Sequence, residues 1–275
     1  MVYAFFVGHW LLSVLFQSMF LHRYAAHRMY NMSPRTEKVM HFLCWMVQGS
    51  SYLSPRGYAI LHREHHAFSD TEQDPHAPGF HQNALAMMWR TKKRYDDYAH
   101  YRAEPEARFL GGYPEWKLVD QTLGQSWPMR VLWSVLYGTF YFTFATHWWQ
   151  LAFMLPFHFV MGPVHGAIVN WCGHKYGYRN FASEVDSKNT LFIDVLTMGE
   201  LFQNNHHKWG QSPNFGVRVF EIDPSYQIMR LLHAVRIIDM SGSQKSRWEP
   251  APKVKPAAKA AAPLGLPEPS PMDGE

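Results

Sequence analysis

Cysteine is nearly absent from this chain. Cys44 and Cys172 are the only two in 275 residues, and both sit in apolar stretches. That excludes a disulfide scaffold and any cysteine-only zinc or iron–sulfur framework. Charge is missing from long tracts: residues 1–21 and the 44 positions from Val131 to His174 contain no Asp, Glu, Lys or Arg. The mean hydropathy of −0.29 would suit a soluble protein, but segregation on this scale points to an integral membrane protein. The formal charge of +4 is not gathered into a basic stripe, which argues against nucleic acid and for contact with lipid headgroups or a phosphate-bearing substrate.

At roughly 1.5 Å per residue, a helix over residues 1–21 spans about 30 Å, the thickness of the hydrocarbon core. It has no basic segment before it and no small-residue cleavage site, so it reads as a span rather than a signal peptide. Residues 131–148 and 151–171 read as two further spans joined at Trp148-Trp149-Gln150. Residues 39–61 carry His41, Gln48, Gly49, three serines, Pro55 and Arg56, and predict an interfacial or re-entrant helix pair. The expected fold is therefore an all-α membrane bundle of three to four spans, occupying residues 1–240, with a cytoplasmic helical cap. Lys and Arg lie almost wholly in residues 22–130 and 173–275, which places both segments in the cytoplasm, with a bacterial inner membrane as the expected location. Residues 241–275, rich in Pro, Ala and Lys, are expected to be disordered.

Histidine is abundant, with 17 copies. Eight of them fall at or just beyond the cytoplasmic ends of apolar segments: His22 and His27 in HRYAAH, His62, His65 and His66 in HREHH, His174, and His206 and His207 in QNNHH. On a helix His62, His65 and His66 share a face, while the adjacent pair diverges by about 100° and can address two metal ions. His22 and His27 differ by about 140° on an α-helix and are expected to straddle the same two-metal site. Imidazole suits iron, zinc, copper and nickel alike. So many imidazoles exceed one coordination sphere, and protonated they would repel one another, whereas metal binding takes the neutral ring. His9, His41, His147, His158 and His233 read instead as hydrogen-bonded core residues.

Over roughly residues 10–240 the sequence resembles the membrane fatty acyl desaturases. The resemblance rests on HRYAAHR, HREHHAFSDTEQDPHAPGF, NWCGHKYGYRN and GELFQNNHHKWGQSPNFGVRVFEID, in that order. It implies a di-iron centre, dioxygen as co-substrate, a fatty acyl substrate carried on CoA or in a lipid, and a ferredoxin or cytochrome b5-type donor with its reductase. By position it implies His22, His27, His62, His65, His66, His174, His206 and His207 as ligands, with Asn170 holding a water one turn before His174. Two positions depart from the family pattern. The third box opens with Gln203 where the family has histidine, and a glutamine oxygen ligates more weakly or holds a water. The family usually has a membrane hairpin before its first box, where this chain has the single run from Met1.

A di-iron hydroxylase would use the same residues, and the sequence leaves it open. A zinc membrane hydrolase with Glu64 as its base is a further alternative, weakened by the lack of an HEXXH signature and the excess of ligands. A metal carrier or an inactive relative is the last; carriers tend to place ionisable residues within the membrane, whereas these histidines lie at its face. Arg90, Lys92, Lys93 and Arg94 are candidates for a CoA phosphate or, equally, for headgroup contact.

Overall fold

Serine followed by proline opens two helices of this chain, because the hydroxyl caps a free backbone N–H while proline supplies helical φ and lacks the N–H that would go unpaired. The computed structural model describes residues 1–249. Ser33 accepts from the Thr36 N–H at the start of α2 (Pro34–Gln48), and Ser54 accepts from the Gly57 N–H at the start of α3 (Pro55–Phe68). Before these runs α1, Val2–Ala26, whose last ten residues from Gln17 are π-helical. After them come α4 (Ala84–Ala99) and α5 (Trp127–Phe144), then the bent pair α6 (Gln150–His158) and α7 (Met161–Lys175). A π-helical turn, Leu118–Gly124, precedes α5, and short α8 (Gln203–Lys208) and amphipathic α9 (Pro224–Ala234) follow α7. The described residues contain isolated β-bridges and no strands, so the all-helical expectation holds.

The apolar core sits where the second half of α1 meets α2. Phe16, Met19, Phe20 and Leu21 pack against Met40, Cys44 and Trp45, and Phe202 and Phe215 close the cluster from the C-terminal part. Nearer the N-terminus Trp10 and Val14 pack on Met161 and Met198. Interdigitation of this kind fixes α1 against three other segments, and α1 carries the first two histidines.

Among the described residues one helix, Val2–Ala26, is long and apolar enough to cross a membrane. The expected span over 151–171 is instead broken by an 81° bend between α6 and α7. Pro163 explains the break, since its ring would meet the carbonyl of Phe159 if one helix ran through. The bend is anchored by the Gly162 N–H donating to Ser51 Oγ at 3.3 Å. The expected span over 131–148 ends at Phe144, where Gln150 Oε1 accepts the N–H groups of Thr146 (2.8 Å) and His147 (3.2 Å) and turns the chain. Val131, Leu132, Val135, Leu136 and Phe142 on α5 are exposed, an apolar flank that suits lipid better than water.

The expected helix pair over 39–61 is present as α2 and α3, joined by a tight turn at Gly49–Ser51. Gly49 has φ +53°, and a Cβ there would lie 1.8 Å from the Tyr137 hydroxyl, so the turn and α5 approach more closely than any other residue permits. Residues 241–249 continue past α9 without helix; the rest of the tail expected to be disordered, 250–275, lies outside the described residues.

Candidate metal centre

The π-helical stretch of α1 changes how its two histidines are presented. An α-helix would separate His22 and His27 by more than a third of a turn, but a π-helix repeats at i, i+5. The His27 N–H donates to the His22 carbonyl at 3.2 Å, the bond of that wider turn, and both rings fall on one side. The expectation that they straddle two metals is thereby corrected: both belong to one group.

That group is His22, His27, His62, His66 and His206, whose candidate ligand nitrogens all lie within 4.8 Å of one another. A second group of the same spacing is His65, His174 and His207. On helix α3 the neighbours His65 and His66 part as their separation of about 100° predicts, His65 to the second group and His66 to the first, and His62 joins His66. Helix α8 likewise sends His206 one way and its neighbour His207 the other. All eight expected histidines are therefore in two adjoining sets, the rings of His65 and His66 being 5.6 Å apart.

Ring nitrogens meet in pairs: His22 and His206 Nε2 at 3.1 Å, His27 and His62 at 2.7 Å, His66 and His206 at 2.9 Å, His65 and His207 at 3.3 Å. His22 Nδ1 donates to Glu200, and His65 Nδ1 donates to Asp74 at 2.9 Å. A neutral imidazole that donates through Nδ1 has only a lone pair left on Nε2. Those lone pairs face other ring nitrogens, an arrangement that is repulsive alone and attractive around a cation. Carboxylates on the far ring nitrogen are also what orients metal-binding histidines. Asp70 stands 3.8 Å from His174 Nδ1 in the same sense, and both His174 nitrogens have no hydrogen-bond partner. The donor set fits metal ions of the imidazole-binding class.

Electrostatics agree. Burial, and then the neighbouring histidines, hold His27, His62, His66, His206 and His207 well below the ordinary imidazole pKa, so these rings are neutral and able to ligate at pH 7. Burial would raise the Glu200 carboxyl, but His22 and Arg23 outweigh it and hold Glu200 down at about 2.

Arg23 anchors this network. It is fully buried and donates to Glu200 (2.8 Å), Asp223 (2.8 Å) and the Pro213 carbonyl (3.0 Å), with its guanidinium over the Phe215 ring. Replacing it by methionine leaves two buried carboxylates without their cation, a loss of roughly 3–5 kcal/mol. Arg23→Met is expected to lower the thermal unfolding midpoint sharply; a midpoint equal to the parent's would show that the network carries no stability.

A cavity of about 490 Å³ adjoins the histidines. His22, His62, Asn170, Gln203 and Glu200 line it, together with apolar and hydroxyl groups of α3, α4 and α7. Asn170 and Gln203 belong to neither histidine group but stand on the cavity side. Gln203 is 3% exposed and donates to the Glu200 carbonyl at 2.6 Å.

The family model described as fatty acid desaturase matches residues 1–219. This chain belongs to the fatty acid desaturase family. Its curated relatives include a hex-5-enoyl-[acyl-carrier protein] acetylenase of Moorena producens, 27% identical over 80% of this chain and 70% of the relative. Others are the Delta-9 desaturase-like 5 protein of Arabidopsis thaliana, 26% identical over 78% and 68%, and an sn-1 stearoyl-lipid 9-desaturase of Synechocystis, 27% identical over 77% and 62%. Membership accounts for the apolar helix, since the family is membrane-bound.

Within a desaturase-family chain the remaining histidines sort as follows. His41 is satisfied by Asp120 and Tyr52, His9 by the Val47 carbonyl and His158, and His158 also by Tyr141. His233 meets the Ile238 carbonyl, but with 41% of its side chain exposed it does not lie in the core expected for it. His147 departs from its expected core role, being exposed and stacked on Trp149. Glu64, the base required by the zinc hydrolase alternative, is in neither group: it accepts from Arg94 (2.9 and 3.1 Å) and from Tyr98. Sequence reasoning missed the carboxylates Glu200, Asp74 and Asp70 behind the histidine rings, and the cavity residues His76 and His165. For Glu200, Asp74, Asp70 and His76 the only signal was their place inside the quoted motif strings, and His165 lies outside all of them.

Proposed function

We propose that this chain is an iron- and dioxygen-dependent fatty acyl desaturase, with one iron held by His22, His27, His62, His66 and His206 and the other by His65, His174 and His207. Gln203 and Asn170 line the cavity, and each would be able to ligate a bound iron through oxygen or to hold a water. The observation that carries the reading is two adjoining imidazole groups, the larger of which opens through His22 and His62 onto an apolar cavity, in a chain of this family.

Bound iron supplies, with dioxygen and external electrons, the oxidant that an unactivated methylene requires. The chain's own part is positional. Leu53, Leu61, Phe159 and Val169 give the cavity an apolar surface that holds a hydrocarbon chain and excludes water. Glu200 and Asp74 fix the ring orientations of His22 and His65. Two hydrogens leave adjacent carbons of the chain and the oxygen ends as water. The donor is a ferredoxin or cytochrome b5-type protein with its reductase, and the histidine face is cytoplasmic.

Expression in a host of simple lipid composition, with mass spectrometry of total fatty acids and metal analysis of the purified protein, tests this reading. A new double bond and about two irons per chain are expected. Hydroxylated chains would assign a hydroxylase, and one zinc without iron would overturn the redox reading.

A further inference from the structure

The exposed members of the cavity lining mark its mouth. Leu85, Trp89 and Lys92 of α4 stand on one side, with Val160 and Pro163 at the α6–α7 bend on the other and Arg130 of α5 beside them. Leu85 and Trp89 are 83% and 66% exposed, one helical turn apart, and Met88 lies between them in the cavity wall. The Lys92 ammonium lies 6.0 Å from the Trp89 ring, so the apolar stripe ends in a cation on the same flank. Such a helix lies in the bilayer surface, apolar side among acyl chains and lysine at the headgroups. The mouth therefore opens toward lipid.

Its charge narrows what can sit there. Among the described residues the rim carries Lys92 and Arg130 against Asp96, and Lys92 is paired with Asp96. Arg130 meets only the Gly124 carbonyl at 3.5 Å, leaving most of its fork free. The other basic residues considered for a CoA phosphate do not reinforce the mouth: Arg90 donates to the Glu72 carbonyl, Arg94 is bound to Glu64, and Lys93 is not in the lining. A CoA head, with its diphosphate and separate 3′-phosphate, would bring several negative charges to a rim with one unpaired cation. A single phosphodiester matches that rim, and arginine recognises it bidentately.

We infer that the substrate is an acyl chain esterified in a membrane glycerophospholipid, entering sideways from the bilayer with its phosphate at Arg130. This rests on the desaturase reading above. The test separates the two. Cells carrying the gene are grown on deuterated palmitate and stearate until their phospholipids hold the label, fatty acid synthesis is stopped with an inhibitor, and the protein is then induced. Deuterated unsaturated chains appearing in the phospholipids are the expected result. Deuterated unsaturation only when the label is given after induction would overturn the inference in favour of a CoA or carrier-protein thioester. No new double bond under either regime would contradict the desaturase reading itself. Arg130→Gln is expected to reduce the lipid-linked product about tenfold with iron content unchanged, the effect of losing a charge-assisted contact, whereas Lys92→Gln, whose charge is already paired with Asp96, is expected to change it little. Full product from Arg130→Gln would also overturn the assignment.

Discussion

His65→Ala is expected to lower bound iron from about two per chain to about one and to reduce double-bond formation by at least about 100-fold. The reason lies in the unequal size of the two groups. His65 is one of three imidazoles in its group, so its loss leaves His174 and His207, too few to hold an ion firmly. His66, its neighbour on α3, is one of five, and four remain after His66→Ala. That variant is expected to keep more of its iron while losing product, because the two ions act as a pair. His233→Ala serves as the control, since His233 lies near the end of α9 and meets only the Ile238 carbonyl, the Met240 N–H and Asp239. Metal analysis and fatty acid profiles of the three variants check this. Full iron and full product in His65→Ala would remove the second group from the chemistry, and loss of product in folded His233→Ala would overturn the division of the histidines.

Gln203→Leu is expected to reduce iron occupancy or turnover by roughly 10–100-fold, whereas Gln203→His keeps iron. The side chain is buried beside the cavity, and its amide nitrogen is committed to the Glu200 carbonyl. The carbonyl oxygen is the atom it has left to offer, and leucine removes it at similar volume. Gly173 lets the side chain lie where it does, because a Cβ at that position would come within 2.6 Å of Gln203 Cγ. Leucine also strips the Glu200 carbonyl of a partner, so unfolding midpoints are measured beside iron content and product. Parental iron and product in Gln203→Leu would place the residue outside the site.

The three-donor group adds weight to Gln203. Five imidazoles saturate the first group, but the second has only His65, His174 and His207 within ligand spacing. Asn170 and Gln203 are the neutral oxygen donors at the cavity nearest in sequence to those ligands. A site completed by weak oxygen ligands would keep positions open, as the proposed reaction with dioxygen requires.

Local sequence determined a good deal. Eight histidines in four short strings, each next to an apolar segment, marked a metal-binding chemistry because imidazoles at that density have few other uses. The 3.6-residue period of α3 already set His65 and His66 apart, while the placing of His62 with His66 came only from the packing. The all-helical class followed from uncharged runs with no strand alternation. The partner of each ring was not legible, because it depends on contacts between distant segments. His22 faces Glu200 across 178 positions, and His65 meets His207 across 142. The π-turns of α1, which put His22 and His27 on one side, have no local signature, since a wider turn costs backbone geometry that only surrounding packing recovers. Nor could composition show that Glu64 and Arg94 bind each other, removing one from the candidate bases and the other from the candidate phosphate ligands. Periodicity and composition act within one segment, so they fixed residue types and faces; which faces meet, and what each charged group is left free to bind, was decided by packing α1, α3, α7 and α8 together.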